Sequence, residues 1–415
     1  MPTPYEPSVL RNATLPDGTR ADVCLADGVI TEIRAAAEPT DPTDPTDPTG
    51  PAQPAQPPAD AVDLAGALLM PAFVDGHAHL DKTFLGSPWQ PHLPVADLRT
   101  QIAAERELRR RIPVPVEERA MTLARRMSAL GTGHVRSHVD IDPDVGLDGL
   151  HALLAVREAC RDFLGIQLVA FPQSGVVTAP GVADLLDAAL REGAELIGGL
   201  DPAGFDGDVA GQLDVVFGLA ERHGAGIDIH LHDGGTTGTG QLREIARRTA
   251  ALGLGGRVAV SHAYALGQVD DAEVARTAEP LAAAGVAIMT NGPAGTMPPV
   301  LRLRDLGVRV FAGSDNIRDA WWPYGTGDML ERSTIIGLQG DLMTDDDLRY
   351  AASLATGNAA AVLGLTGYGL AEGARADLVV VDAASVPEAV AGHPPRLLVL
   401  HGGRVVADHR PPHRG

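Results

Sequence analysis

The sequence predicts an α/β chain: a (β/α)8 TIM-like barrel that carries a small β-sandwich formed by the two chain ends. Three observations predict it. Through the middle of the chain, β-type apolar runs alternate with stretches rich in Ala, Leu, Glu and Arg, such as LRTQIAAERELRRR and ADLLDAALREGAEL. That alternation is the pattern of successive βα units. Eight such β runs can be placed, and most finish on a polar side chain able to do chemistry. The two chain ends read differently, as short β runs broken by Gly-containing turns.

The N-terminal end contributes ADVCLADGVITEI, strand-like residues around an Asp-Gly turn. The C-terminal end contributes GARADLVVVDAAS and RLLVLHGGRVVADHR. Together they predict one discontinuous sandwich domain from residues 1–69 and 374–415. Within it, residues 39–58 run PTDPTDPTDPTG into PAQPAQPP. Proline fixes φ and removes a backbone donor, so this stretch reads as a disordered or extended surface loop. Residues 70–373 are assigned to the barrel. Its eight strands fall, in order, in 72–81, 133–142, 166–175, 195–202, 226–233, 257–266, 286–292 and 308–316. An open sheet does not need eight, and barrel enzymes place the active site where the strands end.

The bulk numbers suit a soluble globular protein. At 415 residues, 45% hydrophobic and 21% charged, the chain can bury a large core without staples. Cys24 and Cys160 are its two cysteines, too far apart in sequence for a thiolate zinc motif. The formal charge of −21 argues against nucleic acid or an anionic membrane as partner, because phosphate binding leans on Lys and Arg. There is no long apolar run and no basic leader followed by one, so a cytoplasmic location is expected.

The chemistry concentrates at the strand ends. His77 and His79 form an HxH pair in the first strand; positions i and i+2 share a face, so both imidazoles can address one ion. The fifth strand ends His230-Leu231-His232-Asp233, the sixth carries His262, and the eighth ends Ser314-Asp315-Asn316. Two His from strand one, one from strand five and Asp315 make an N/O set suited to Zn2+ or Fe2+. Strand geometry does not choose between His230 and His232, since both face one way. His262 reads as a proton shuttle, a supporting group or a fifth ligand. His138 and Asp140 at the end of strand two line or buttress the pocket, and Trp321 and Trp322 sit in the loop after strand eight, where loops carry function.

The blocks MPAFVDGHAHLDK, HVDID, AFPQSG, DIHLHDGG, SHAYALG and GSDNIRDAWWPYGTGDM resemble the cytosine-deaminase branch of the amidohydrolase superfamily. Within it they look closest to the isopropylammelide hydrolases of s-triazine breakdown. The resemblance runs from about Gly28 to Ala407, apart from the Pro/Asp-rich insert. It implies His77, His79, His230 and Asp315 as metal ligands, Gln173 as a contact to the heterocycle, and His262 as the group that polarises the attacked centre or the leaving group. True cytosine deaminases carry a glutamate where this chain has Asp233, and a second aspartate where it has Asn316. Both departures, with Lys82 after the HxH, match the isopropylammelide hydrolase pattern. Relatives in this branch are commonly homo-oligomers.

The resemblance therefore implies hydrolysis of an exocyclic C–N bond on a small nitrogen heterocycle, with His262, Lys82, His232 and Asp233 as catalytic candidates beside Asp315. Asn316 and Trp321 join Gln173 as candidate substrate contacts. A cyclic-amide hydrolase of the hydantoinase type is the alternative; two-metal members use a bridging lysine on strand four, and ELIGGLDP has none. A barrel that binds without catalysing is a third reading, disfavoured because buried His and Asp clusters are costly without a metal. Deletion of residues 40–57 is expected to leave thermal stability and activity nearly unchanged, as read by a melting curve and a turnover assay; a large loss of either shows that the insert is not inert.

Overall fold

The computed structural model describes residues 5–36, 60–92, 97–293 and 295–411; the Pro/Asp-rich segment 39–58 lies outside them. Two compact units are present, one within 1–72, 367–389 and 394–415, the other within 73–366 and 390–393.

In the first unit, strands β1 (Val9–Thr14), β2 (Arg20–Ala26), β3 (Val29–Ala35), β4 (Val62–Asp63) and β5 (Leu68–Pro71) come from one end of the chain. The other end supplies the last three of the sixteen strands among the described residues, β14 (Leu378–Val381), β15 (Arg396–His401) and β16 (Arg404–Asp408). They form one mixed sheet, ordered β16-β15-β14-β5-β1-β2-β3 with β4 beside β1. The ends meet where β5 and β14 pair antiparallel, Met70 opposite Val379 and Leu69 opposite Val380. Alternate side chains from both ends share one apolar core: Leu10, Val23, Ile30 and Leu69 with Leu378, Val380, Leu398 and Val405. Tyr5 joins the ends again, its hydroxyl donating to Asp408 at 2.9 Å.

The second unit is the barrel. Its strands are β6 (Phe73–Ala78), β7 (Thr132–Asp140), β8 (Gly165–Phe171), β9 (Leu196–Leu200), β10 (Gly226–Leu231), β11 (Val258–His262), β12 (Ala287–Thr290) and β13 (Val310–Ala312). Each pairs parallel with the next, from β6 to β13. They are buried almost throughout, which is why they read as continuous apolar runs. The helices between them start and stop on local signals. Asp208 caps Val209–His223 by accepting from Gly211 N–H, and Gly224 ends it in the left-handed conformation. Beyond β13, Thr344 and Asp347 form a reciprocal capping box on Asp345–Leu354.

Closure joins β6 to the chain just beyond β13. Asp315 N–H donates to His77 C=O at 2.7 Å, and Ala78 bridges Asp315 in parallel register. Buried Asp75 braces the joint, one carboxylate oxygen accepting from His77 N–H at 3.2 Å and Ser314 N–H at 2.9 Å. The approach is close enough to demand glycine: a Cβ on Gly313 would lie 2.5 Å from His77 Cβ and 2.9 Å from its nitrogen. Gly313→Ala is therefore expected to lower stability by about 1–3 kcal/mol, the usual effect of overpacking, in equilibrium urea unfolding; an unchanged midpoint would show that the seam has slack.

Candidate active site

The barrel's polar strand ends converge at its C-terminal mouth. His77 lies within β6 and His79 just past its end; His230 is in β10 and His262 closes β11. His262 and Asp315 adopt left-handed backbone, with φ of 72° and 61°. For non-glycine residues this costs on the order of 1–3 kcal/mol, and such strain collects at functional sites.

The inner end of His77 is fixed from below. Arg136 donates to Asp228 at 2.9 Å, Ser261 Oγ donates to the other Asp228 oxygen at 2.7 Å, and His77 Nδ1 lies 2.8 Å from Ser261 Oγ. A hydroxyl has one proton, and here it goes to Asp228. Ser261 must therefore accept from His77 Nδ1–H, which leaves His77 Nε2 bare toward the mouth. Burial alone would raise Asp228, but His138, Arg136 and His77 together hold its carboxyl well below the ordinary range. The chain Arg136–Asp228–Ser261–His77 thus sets both tautomer and ring orientation, as outer groups do at metal sites.

Around His77 Nε2 the other donors close in. Asp315 Oδ1 lies 3.5 Å from it and 3.4 Å from His79 Nε2, and His79 Nε2 lies 3.3 Å from His230 Nε2. His77, His230, His262 and Asp315 each place a ligand atom within 4.8 Å of one another. His77, His79 and His138 meet the same criterion. Asp315 Oδ2 is taken by Asn291 Nδ2 at 3.0 Å, which leaves Oδ1 for the cluster.

Protonation states match a cation. Burial, with Lys82 nearby, pulls His79 down to about 3, and burial with the neighbouring imidazoles holds His230 well below its usual value. Burial would push Asp315 up, yet His262, His77 and His79 outweigh it and keep the carboxyl ionised. Of the nitrogens in the cluster, His77 Nε2 beside Asp315 and both on His262 lack a hydrogen-bond partner, while on His79 and His230 the unpartnered atom is Nδ1 and the Nε2 atoms lie against each other. Bare lone pairs facing an ionised carboxylate are costly in a dry interior unless a cation sits among them. The residues present fit a divalent ion.

Beside the cluster lies a small inner cavity, about 50 Å³, lined in part by Lys82, Phe171, Gln173 and Trp321. It shares His232, Asp315, Asn316 and Trp321 with an outer cavity of about 370 Å³ that adds Tyr264, Pro293 and Trp322. Lys82 is 2% exposed. It donates to Gln173 Oε1 at 2.6 Å and pairs with Asp140 at 3.1 Å. Burial works against its charge, but Asp140, Glu105 and Asp81 outweigh that and hold the ammonium above the usual lysine value. Because an ammonium only donates, Gln173 turns its oxygen to Lys82 and keeps its amide N–H2 for the cavity. Asp140, also paired with Arg109 at 2.9 Å, and His138, packed 4.0 Å from the His77 ring, buttress rather than line it.

His232 Nδ1 lies 2.9 Å from Asp201, and its ring stacks on His262 at 4.5 Å. Burial opposes a proton there, but Asp201 outweighs it and raises the imidazole above its ordinary value. Asp201 directly follows β9 and takes the N–H groups of both His232 and Asp233. That folds the turn outward: the Asp233 carboxylate accepts from Gly204 N–H at 3.0 Å and Gln241 at 2.9 Å, and lines neither cavity. Asp233 is the one candidate the structure does not bring to the site. Asn316 donates to Asp319 at 2.6 Å and Trp321 Nε1–H to Glu105 at 2.7 Å, so both walls are pinned. Asp201, Ser261 and Glu105 were missed from sequence. Asp201 carried a signal, as the polar residue finishing the fourth β run; Glu105 carried none.

A (β/α)8 barrel with buried histidines and an aspartate converging at its C-terminal mouth defines the metal-dependent hydrolases of this architecture. The chain belongs to the amidohydrolase family, whose profile matches residues 60–407. N-isopropylammelide isopropyl amidohydrolase of a Pseudomonas species is 33% identical over 362 residues, 84% of this chain and 88% of its own. The crystal structure of N-isopropylammelide isopropylaminohydrolase from Burkholderia multivorans is 40% identical at a TM-score of 0.88, covering 96% of this chain and 98% of that one. That of 5-methylcytosine deaminase from Klebsiella pneumoniae, liganded with 5-fluorocytosine, is 28% identical at 0.85 over 98% and 99%. No helix among the described residues is long and apolar enough to cross a membrane.

His77→Ala is expected to lose bound metal and activity together, and Ser261→Ala to weaken metal affinity about 10–100-fold, the usual effect of removing an outer-shell partner. Chelator competition followed by elemental analysis measures both. Full metal retention in His77→Ala would overturn the ligand assignment.

Proposed function

We propose that the protein is an aminohydrolase that replaces an amino or alkylamino group on a small nitrogen heterocycle, of the pyrimidine or triazine kind, with oxygen. The observation that carries this reading is the buried His/Asp donor set opening on a cavity edged by Lys82 and Gln173 on one side and by His232 with Asp201 on the other. His77, His79, His230 and Asp315 would hold one Zn2+ or Fe2+, with His262 in reach as a further ligand or proton carrier. When bound, such an ion lowers the pKa of water from about 15.7 toward about 7 and so makes a nucleophile available at neutral pH.

The protein's own groups do the rest. Lys82 and the Gln173 amide donate to acceptors on the ring edge, while Phe171 and Trp321 cover it and exclude water. Asp315 accepts the proton of the attacking water, its second oxygen held by Asn291. His232 gives its Nδ1–H to Asp201, so its Nε2 is the atom left to pass a proton to the departing nitrogen. The product pair is a ring carbonyl and ammonia or an alkylamine. Leu98, Pro293 and Trp322 give the outer cavity apolar walls, which suits an alkyl substituent on the leaving nitrogen.

The test is a release screen over amino- and alkylamino-substituted triazines, pyrimidines and pterins, scored for ammonia, free amine and ring-opened acid. Release of amine with the ring intact is expected; ring-opened acid as the product would move the protein to the cyclic-amide hydrolases. Asp315→Asn is expected to abolish turnover with the fold intact. Asp201→Asn is expected to lower kcat about 10²–10⁴-fold, the span of general acid–base catalysis, at unchanged metal content; near-parental kcat would remove His232 from the proton path.

A further inference from the structure

Helix α1 (Leu98–Arg111) is tied to the barrel mouth largely by side chains that reach loops. Gln101 donates to Ala320 C=O at 2.6 Å, Arg99 to Phe205 C=O at 2.7 Å, and Arg109 pairs with Asp140 at 2.9 Å. Ile102 joins a small apolar cluster with Phe171, Leu200 and Phe205, against which Leu98 and Trp321 pack. One turn from Ile102 sits Glu105, 2% exposed. A carboxylate in such a place is costly unless its oxygens are engaged.

They are engaged on the site itself. Glu105 Oε2 accepts from Trp321 Nε1–H at 2.7 Å and lies 3.9 Å from Lys82 Nζ. Its other oxygen lies 3.9 Å from Arg109 Nε. Trp321 is held at its other end by Asp319, which accepts from its backbone N–H at 2.9 Å. The indole is therefore fixed at both ends, with the Lys82 ammonium 5.3 Å from its ring and 5.4 Å from that of Phe171. The two aromatic rings flank the ammonium that edges the inner cavity.

We propose that Glu105 is a positioning residue of the active site: through the Trp321 indole it sets the wall against which a planar substrate ring packs, and it makes α1 part of the binding site. Glu105 touches no reacting atom. It acts by fixing Trp321 and by helping to keep the neighbouring ammonium charged. An apolar residue of equal size would leave the indole N–H buried without a partner. The part of this inference that concerns substrate rests on the heterocycle reading above; the part that concerns Trp321 does not.

The experiment has two arms, both on the full-length, metal-loaded protein. In a Trp89→Phe, Trp322→Phe background, Trp321 is the sole tryptophan of the three. Acrylamide quenching of its fluorescence is expected to rise in Glu105→Ala and to stay near the parent in Glu105→Gln, which keeps an acceptor. Glu105→Leu replaces alanine if that variant fails to fold. In the native-tryptophan background, using the best substrate from the release screen, Glu105→Ala is expected to raise KM about tenfold, the worth of one charged hydrogen bond, with kcat less affected. The same change made on top of Trp321→Phe is expected to add little, since partners in one contact are not additive. Unchanged quenching in Glu105→Ala, or losses that add across the two positions, overturns the proposal. A parent protein that releases amine from no ring overturns the functional reading instead, and the quenching arm then decides Glu105 alone.

Discussion

The backbone hydrogen bond from Asp315 N–H to His77 C=O is the constraint on which the site depends. It closes the barrel between its first and last strands, and the residues it joins are two of the metal-ligand candidates. Ligand spacing and barrel closure are therefore one geometry. One Asp75 carboxylate oxygen takes the N–H groups of His77 and of Ser314, the residue before Asp315, and Gly313 lets the strands come close enough for it. Within the donor set, His77 and Asp315 cannot move apart without opening the seam.

Burial does the electrostatic work around that seam. It strips protons from His79 and His230, while the surrounding imidazoles keep Asp315 ionised. Below, a polar chain from Arg136 to His77 fixes the ring that faces the cluster. Beside it, three carboxylates keep Lys82 charged, and that charge in turn orients the Gln173 amide. Lys82 and Gln173, which line the inner cavity, are thus each set by a partner behind them.

Much of this was legible in the sequence, for a simple reason. Strand geometry sends i and i+2 to one face, so His77 and His79 declared themselves, and parallel strands buried on both sides announced eight barrel elements. What could not be read depends on where the chain turns after a strand. The family resemblance put Asp233 at the site, but β10 ends at Leu231, and Asp201 gathers the next two N–H groups and turns the Asp233 carboxylate away. Asp201 stood at the end of the fourth β run, but nothing in the sequence tied it to His232. Glu105 sat in an Arg-rich helical stretch whose charges all suggested solvent. The sequence offered Lys82 as a candidate and showed Asp81 beside it, but not Glu105 and Asp140, which reach it from separate segments.

The pairing of β5 with β14 has a consequence for how the protein is made. Chains emerge from the ribosome N-terminal end first, at about 5–20 residues per second. Leu68–Pro71 is thus synthesised long before Leu378–Val381, its antiparallel partner. During that interval the early strands carry an open, apolar edge, the kind of surface that recruits other chains. A premature stop anywhere before Leu378 leaves that edge bare for good, even when every strand of the barrel has been translated.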